Sequence, residues 1–188
     1  HGLNKIWDED GQLSFEGNYK DGNRDGNIKM WYENGKLKRE ENYIVGLKDG
    51  LFKEWNEDGL FKLEENYKDG KKDGLYKWWY KNGQIRYEQN YKDGIKNGIS
   101  TSWNQKGQIA QKIEYKNDKY HGLFEQYYEN GQIVFHRNYQ EGLKSGLFRE
   151  WSFNGSLLRE TKWDSSSRPE KQISIKCWDE VGNEIECE

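Results

Sequence analysis

The sequence predicts an all-β fold: an elongated single-layer antiparallel sheet of stacked β-hairpin repeats, finished by a C-terminal capping hairpin. Three observations predict it. Gly2, Gly26, Gly50, Gly74, Gly98, Gly122 and Gly146 follow one another at a constant step of 24 residues, and Gly11, Gly35, Gly59, Gly83, Gly107, Gly131 and Gly155 keep the same step. A strict period of this length marks a repeat architecture, here of seven units. Within a unit, apolar residues alternate with period two, as in Leu51-Phe-Lys-Glu-Trp55. The chain has a single proline, which suits unbroken strand ladders.

The first strand of each unit runs from glycine to an aromatic column: Trp7, Trp31, Trp55, Trp79, Trp103, Tyr127 and Trp151. The turn follows, as Glu33-Asn34-Gly35, Glu57-Asp58-Gly59 or Gln105-Lys106-Gly107. Lys106 before the glycine resists left-handed geometry. A three-residue loop with glycine alone in the left-handed position therefore fits all copies. That loop sets Trp31 opposite Leu37. The second strand carries an aliphatic or aromatic column (Leu13, Leu37, Phe61, Ile85, Ile109, Ile133, Leu157) and, six residues on, Tyr19, Tyr43, Tyr67, Tyr91, Tyr115, Tyr139 and Trp163. Even spacing predicts one face bearing Leu, Trp, Leu/Ile and Tyr. The other face is expected to bear Glu16, Glu40, Glu64, Glu88 and Glu160 with Phe52, Tyr76, Phe124 and Phe148. Segments such as Lys68–Asp73 are read as wider charged loops between hairpins. About fifteen strands at ~4.8 Å would span roughly 70 Å.

The period holds over 1–163, the array of hairpins, and fails after Trp163. Residues 164–188 read as a loop with Pro169 followed by a capping hairpin, because a terminal repeat lacks a neighbour on one side. Cys177 and Cys187, the only cysteines, both lie there with equal parity. Under the repeat's register they are diagonal neighbours, and a two-residue shift would set them directly opposite; either arrangement allows a disulfide, a staple suited to an exported protein, the alternative being two reduced thiols in a cytosolic one. Two cysteines without a nearby histidine do not complete a metal site.

Composition narrows the function classes. Hydrophobic residues make up 32% and charged residues 34%, but the 15% aromatic content is periodic and can stack into a core. Thirty basic residues against 33 acidic ones, interspersed, give a net charge of −3. That balance lacks the basic stripe of a nucleic-acid binder and the polybasic patch of an anionic-membrane binder. No apolar run is long enough to span a bilayer as a helix.

Catalytic patterns are scarce. His121 and His136 fall in tolerant surface columns, and His1 is terminal. The glutamate column would place carboxylates about 10 Å apart, two strand spacings, and reads as a solvated face. Lys5, Lys29, Lys53 and Lys77 are expected to pair with carboxylates across strands. No phosphate loop, cofactor motif or metal set is present. The aromatic column is the candidate binding surface: Trp31, Trp55, Trp79, Trp103, Tyr127 and Trp151. These rings are expected to form most of a thin core while leaving some aromatic surface open to a partner. Residues 98–121 depart from the common pattern at Thr101, Ser102, Lys112, Ile113, Glu114 and Asp118.

The unit Asp73-Gly-Leu-x3-Trp79-x2-Asn82-Gly83-x-Ile85-x5-Tyr91-x-Asp93-Gly94 resembles the MORN-variant repeat, found in bacterial YwqK-family antitoxin-like proteins. The resemblance covers residues 1 to about 163, and the Cys177–Cys187 ending is similar to tails in that group. It implies stacked hairpins without a cofactor or catalytic residues, and transfers no functional residue. The expected function is a non-enzymatic scaffold for protein–protein interaction, exported or surface-associated in a bacterium. The partner is a protein of unknown identity. The alternatives are an antitoxin or immunity protein, and glycan binding.

Overall fold

A computed structural model describes residues 1–187. Among them every regular element is a strand, and every strand pair is antiparallel. The chain divides into two units, 1–95 and 96–188. In the first, hairpins β1 (Gly2–Trp7)/β2 (Leu13–Lys20), β3 (Asn23–Trp31)/β4 (Leu37–Ile44), β6 (Gly50–Trp55)/β7 (Phe61–Lys68) and β8 (Lys71–Trp79)/β9 (Ile85–Lys92) follow in order. The short β5 (Leu47–Lys48) leads into β6. The second unit repeats the scheme with β10 (Ile95–Trp103)/β11 (Ile109–Lys116), β12 (Lys119–Tyr127)/β13 (Ile133–Gln140) and β15 (Gly146–Trp151)/β16 (Leu157–Asp164). There β14 (Leu143–Lys144) precedes β15, and the cap is β17 (Lys171–Trp178)/β18 (Glu184–Ile185).

Two kinds of turn alternate. In the first, the Tyr32 amide donates to Lys36 O and the Gly35 amide to Tyr32 O, both at 2.9 Å, with Gly35 at φ 75°. This is the three-residue loop expected from the sequence, and Trp31 lies opposite Leu37 as expected. The second turn is tighter than expected. Asp69 and Gly70 both adopt left-handed backbone (φ 47° and 79°), so Lys68 pairs directly with Lys71. The wider charged loop is therefore a two-residue reversal, and Lys71–Asp73 continue into the next hairpin.

Successive hairpins are fastened at these reversals. The Gly70 amide donates to Lys48 O at 2.8 Å, and the Asp69 amide to Asp49 Oδ2 at 3.1 Å. Asp25 and Asp73 receive the amides of Val45 and Asp93 in the same way. Each aspartate thus satisfies a turn twenty residues further along the chain.

Two bulges per repeat decide which side chains share a face. In β6/β7, Phe52 pairs with Glu65 and Glu54 with Leu63, yet Trp55 pairs with Phe61. Lys62 is the extra residue, and one extra residue reverses the parity of everything after it. Between β7 and β8, Glu65 pairs with Tyr76 but Tyr67 with Lys72. Two extra residues bulge there, around Gly74, and parity survives. Gly74 has φ 110°, and Asn66 lies over it to donate to Leu75 O at 2.9 Å.

The expected division of faces is corrected accordingly. In each unit one face carries the tryptophan, first-strand leucine, lysine and glutamate columns. The other carries the tyrosine column with Phe52, Tyr76, Phe124 and Phe148. Counting alternate positions from Leu37 to Tyr43 missed the parity change that the bulge introduces.

The core lies on the tyrosine face, not on the tryptophan face. Ile28, Phe52, Tyr43, Ile113 and Phe148 are buried there, interleaved with Glu41, Glu65, Gln89 and Thr161. Residues 98–121 keep the common register and exchange sizes within it. Ser100 takes the place of the aromatic and faces Ile113, which replaces the long polar residue, and both are buried.

Candidate functional site

The tryptophan face is built from the ends of the first strands. In the first unit Trp31, Trp55 and Trp79 are half-buried, each just before its glycine turn. Trp55 stacks on Phe61 at 5.3 Å, and Phe61 on Trp79 at 5.4 Å, each pair inclined by 30°. In the second unit Trp103, Tyr127 and Trp151 are likewise half-buried, opposite Ile109, Ile133 and Leu157. Trp55 thus touches its cross-strand partner, and the other rings lie opposite an aliphatic residue in register. These rings are wetter than the residues of the core, which corrects the expectation that they form most of it. The leucine column beside them is open in part, with Leu3 55%, Ile99 57% and Leu123 42% exposed and Leu51, Leu75 and Leu147 half-buried.

The same face holds the glutamates, each matched by a basic partner. Lys5 lies 2.8 Å from Glu16, Lys29 3.5 Å from Glu40, and Arg149 2.7 Å from Glu160. The expected cross-strand pairing of Lys53 and Lys77 is present in register, opposite Glu64 and Glu88. In the second unit Glu125 takes a 2.7 Å hydrogen bond from Tyr127 and lies 3.5 Å from His136 Nδ1. Burial and that hydrogen bond push the Tyr127 phenol up to about 12. His121 Nδ1 lies 3.4 Å from Glu141. Among the described residues no three His, Cys, Asp or Glu side chains gather to hold a metal ion.

The tyrosine face supports this surface from behind. In the first unit Lys48 Nζ sits 3.6 Å from Glu41 and 4.2 Å above the Phe52 ring. Lys72 Nζ sits 2.6 Å from Glu65 and 4.6 Å above the Tyr76 ring. The Tyr67 hydroxyl donates to Glu65 at 2.7 Å, and burial followed by that bond raises its pKa. Glu54 is buried against ionisation, but Lys62 at 2.6 Å and Arg39 at 3.3 Å outweigh the burial and hold its pKa low. Sequence reasoning missed this ladder because it placed the tyrosines on the wrong face.

Cys177 and Cys187 are joined, with Cα atoms 5.4 Å apart. Cys177 pairs with Ile185, so Cys187 is the diagonal neighbour expected from the sequence.

Compared with known families, residues 1–21, 24–44, 72–93, 96–117 and 120–141 match the MORN repeat variant. The chain belongs to the MORN repeat variant family. The five matched stretches coincide with hairpins β1/β2, β3/β4, β8/β9, β10/β11 and β12/β13. The remaining MORN-like hairpins, β6/β7 and β15/β16, pair with the same register and the same bulge before the tryptophan. No curated protein matches the chain. No helix of the described residues is long and apolar enough to cross a membrane.

Proposed function

We propose that this MORN-variant array is a non-enzymatic scaffold that binds a protein partner through the tryptophan face of its repeats. The observation that carries the reading is the pairing of half-buried indoles with a partly open leucine column on one face of the repeats. Buried aromatic and glutamate side chains, with half-buried lysines paired to the glutamates, pack the other side. Amphipathic rings on a stiff backbone give large contact area at small entropic cost. The lysine–glutamate pairs around them supply a polar rim.

The disulfide supports a place in an oxidising compartment, outside the bacterial cytoplasm or on the cell surface. It favours this reading over an intracellular antitoxin. Glycan binding is the second reading, because the stacked Trp55, Phe61 and Trp79 rings share a face with carboxylates.

The test compares the intact chain with Trp55→Ala, Trp79→Ala and Trp151→Ala as bait for cell-surface and secreted proteins, alongside a glycan array. Capture of one defined protein that is lost in the tryptophan variants, with no glycan retained, is the expected result. Capture that is indifferent to all three substitutions overturns the scaffold reading of this face.

A further inference from the structure

A cavity of about 270 Å³ opens on the tyrosine face of the second unit. Its lining includes Arg137, Lys144, Arg159, Phe148, Trp163 and Ile175. It exists because the repeat changes here. The buried column that carries Glu41, Glu65 and Gln89 ends in the shorter Thr161, and the cap strand β17 brings Ile175 opposite it.

The charge in that column also inverts. Seven residues before Lys48 and Lys72 stand Glu41 and Glu65, which pair with them at 3.6 and 2.6 Å. Seven residues before Lys144 stands Arg137. Glu150, the one carboxylate among the described lining residues, is taken by Arg137 at 2.8 Å. Lys144 Nζ instead lies 4.0 Å over the Trp163 ring. Among the described residues neither Lys144 nor Arg159 forms an ion pair. Two further donors of the lining side chains, Arg137 Nε and Trp163 Nε1, are buried without an acceptor. Buried donors normally find partners, and unpaired cations beside apolar rings favour an anion that supplies oxygens.

We propose that this cavity is a binding site for a small aromatic oxyanion, a single-ring phosphate ester or carboxylate. Its oxygens meet Lys144 and Arg159, and its ring rests against Phe148 and Trp163. The volume suits one ring with one acidic group and is below the usual range for drug-sized ligands, about 300–1,000 Å³. The site lies on the face opposite the tryptophan column and is independent of the scaffold reading.

The experiment titrates the full chain with phenyl phosphate and with benzoate at low ionic strength. Inorganic phosphate and phenol serve as the half-ligands. Heat of binding and the indole N–H resonance of Trp163, assigned through Trp163→Phe, are recorded. Saturable binding of an aromatic anion that moves the Trp163 resonance and exceeds both half-ligands is expected. Lys144→Gln with Arg159→Gln should weaken it by ~10-fold or more while leaving the far-ultraviolet circular dichroism unchanged. Absence of saturable binding by both aromatic anions at millimolar concentration overturns the proposal. So does an affinity that the double substitution leaves intact in a folded protein, or a response to phenol equal to that of phenyl phosphate.

Discussion

Lys72 Nζ sits 2.6 Å from Glu65 Oε1, and the glutamate is only 6% exposed. Glu65 also accepts the Tyr67 hydroxyl. Removing this carboxylate leaves a cation and a phenol without their partner on the buried face. Glu65→Ala should lower stability by about 2–4 kcal/mol. Glu16→Ala, on the wetter tryptophan face, should cost about 0.5 kcal/mol or less. Urea midpoints of the two variants give the comparison, and equal shifts would show that the two faces do not differ in this way.

Val45 occupies the first position of a two-residue reversal at φ 46°, where Asp21, Asp69 and Asp93 stand in other repeats. A β-branched residue is strained in left-handed backbone, and this one is exposed, so its side chain contributes little in return. Val45→Asp should raise stability by about 1 kcal/mol. A thermal melt that is unchanged or lower would contradict the strain.

Gly17 holds the column that elsewhere carries Glu41, Glu65, Gln89 and Ile113. A Cβ there would lie 2.5 Å from Ile28 Cδ1 and 2.8 Å from Phe15 Cζ. Phe15 and Ile28 fill the room left by the missing side chain. Gly17→Ala should therefore overpack the first repeat and cost about 1–3 kcal/mol, seen as a lower denaturant midpoint.

The phenols set an alkaline limit. Tyr127 titrates in the folded chain at about 12 against an ordinary 10.0, and Tyr43, Tyr67, Tyr76 and Tyr139 shift in the same direction. A raised folded pKa means that this contribution to stability is complete below pH 10 and is lost as the pH rises through the folded values. Unfolding midpoints should be flat up to about pH 10 and fall steeply beyond it. Phenolate absorbance should appear later in the folded chain than in denaturant. Glu54 acts at the other end, since its low folded pKa makes its contribution disappear as the pH falls below 4.5.

Cys177 and Cys187 close a loop of sequence separation 10 on the cap. Reduction, or Cys177→Ser, should destabilise the cap by about 2–3 kcal/mol. Hydrogen exchange should speed up first in β17 and β18, with the hairpins of the first unit unaffected. Uniform loss of protection along the chain would show that the staple acts on more than the cap.

Much of the fold was legible because glycine marks turns. Gly35 alone left-handed, with Trp31 opposite Leu37, follows from which residues tolerate that backbone. The C-terminal hairpin was legible because Trp178 and Gly182 keep the spacing of Trp31 and Gly35. The division of faces was not. Lys62 and its equivalents range from Lys38 and Arg86 to Ala110, Val134 and Leu158, and nothing in their identity distinguishes a bulge from an ordinary strand position. A second clue lay in Phe52, Tyr76 and Phe148, whose size suited a core better than a solvated face. The cavity was hidden for a different reason. Arg137 and Lys144 look like two more surface charges until the register places them where other repeats hold an ion pair.

The aspartates at the reversals give the array a direction. Asp25, Asp49 and Asp73 each stand at the start of a hairpin and accept the amide of the reversal that ends it, twenty residues on. A whole hairpin duplicated into the middle brings both the acceptor and the amide with it. A cut of any other length inside a hairpin changes the twenty-residue spacing between that hairpin's aspartate and the amide it serves. Such a chain changes length by counting in units of 24, and a shift of a single residue is felt at the one reversal whose aspartate it moves.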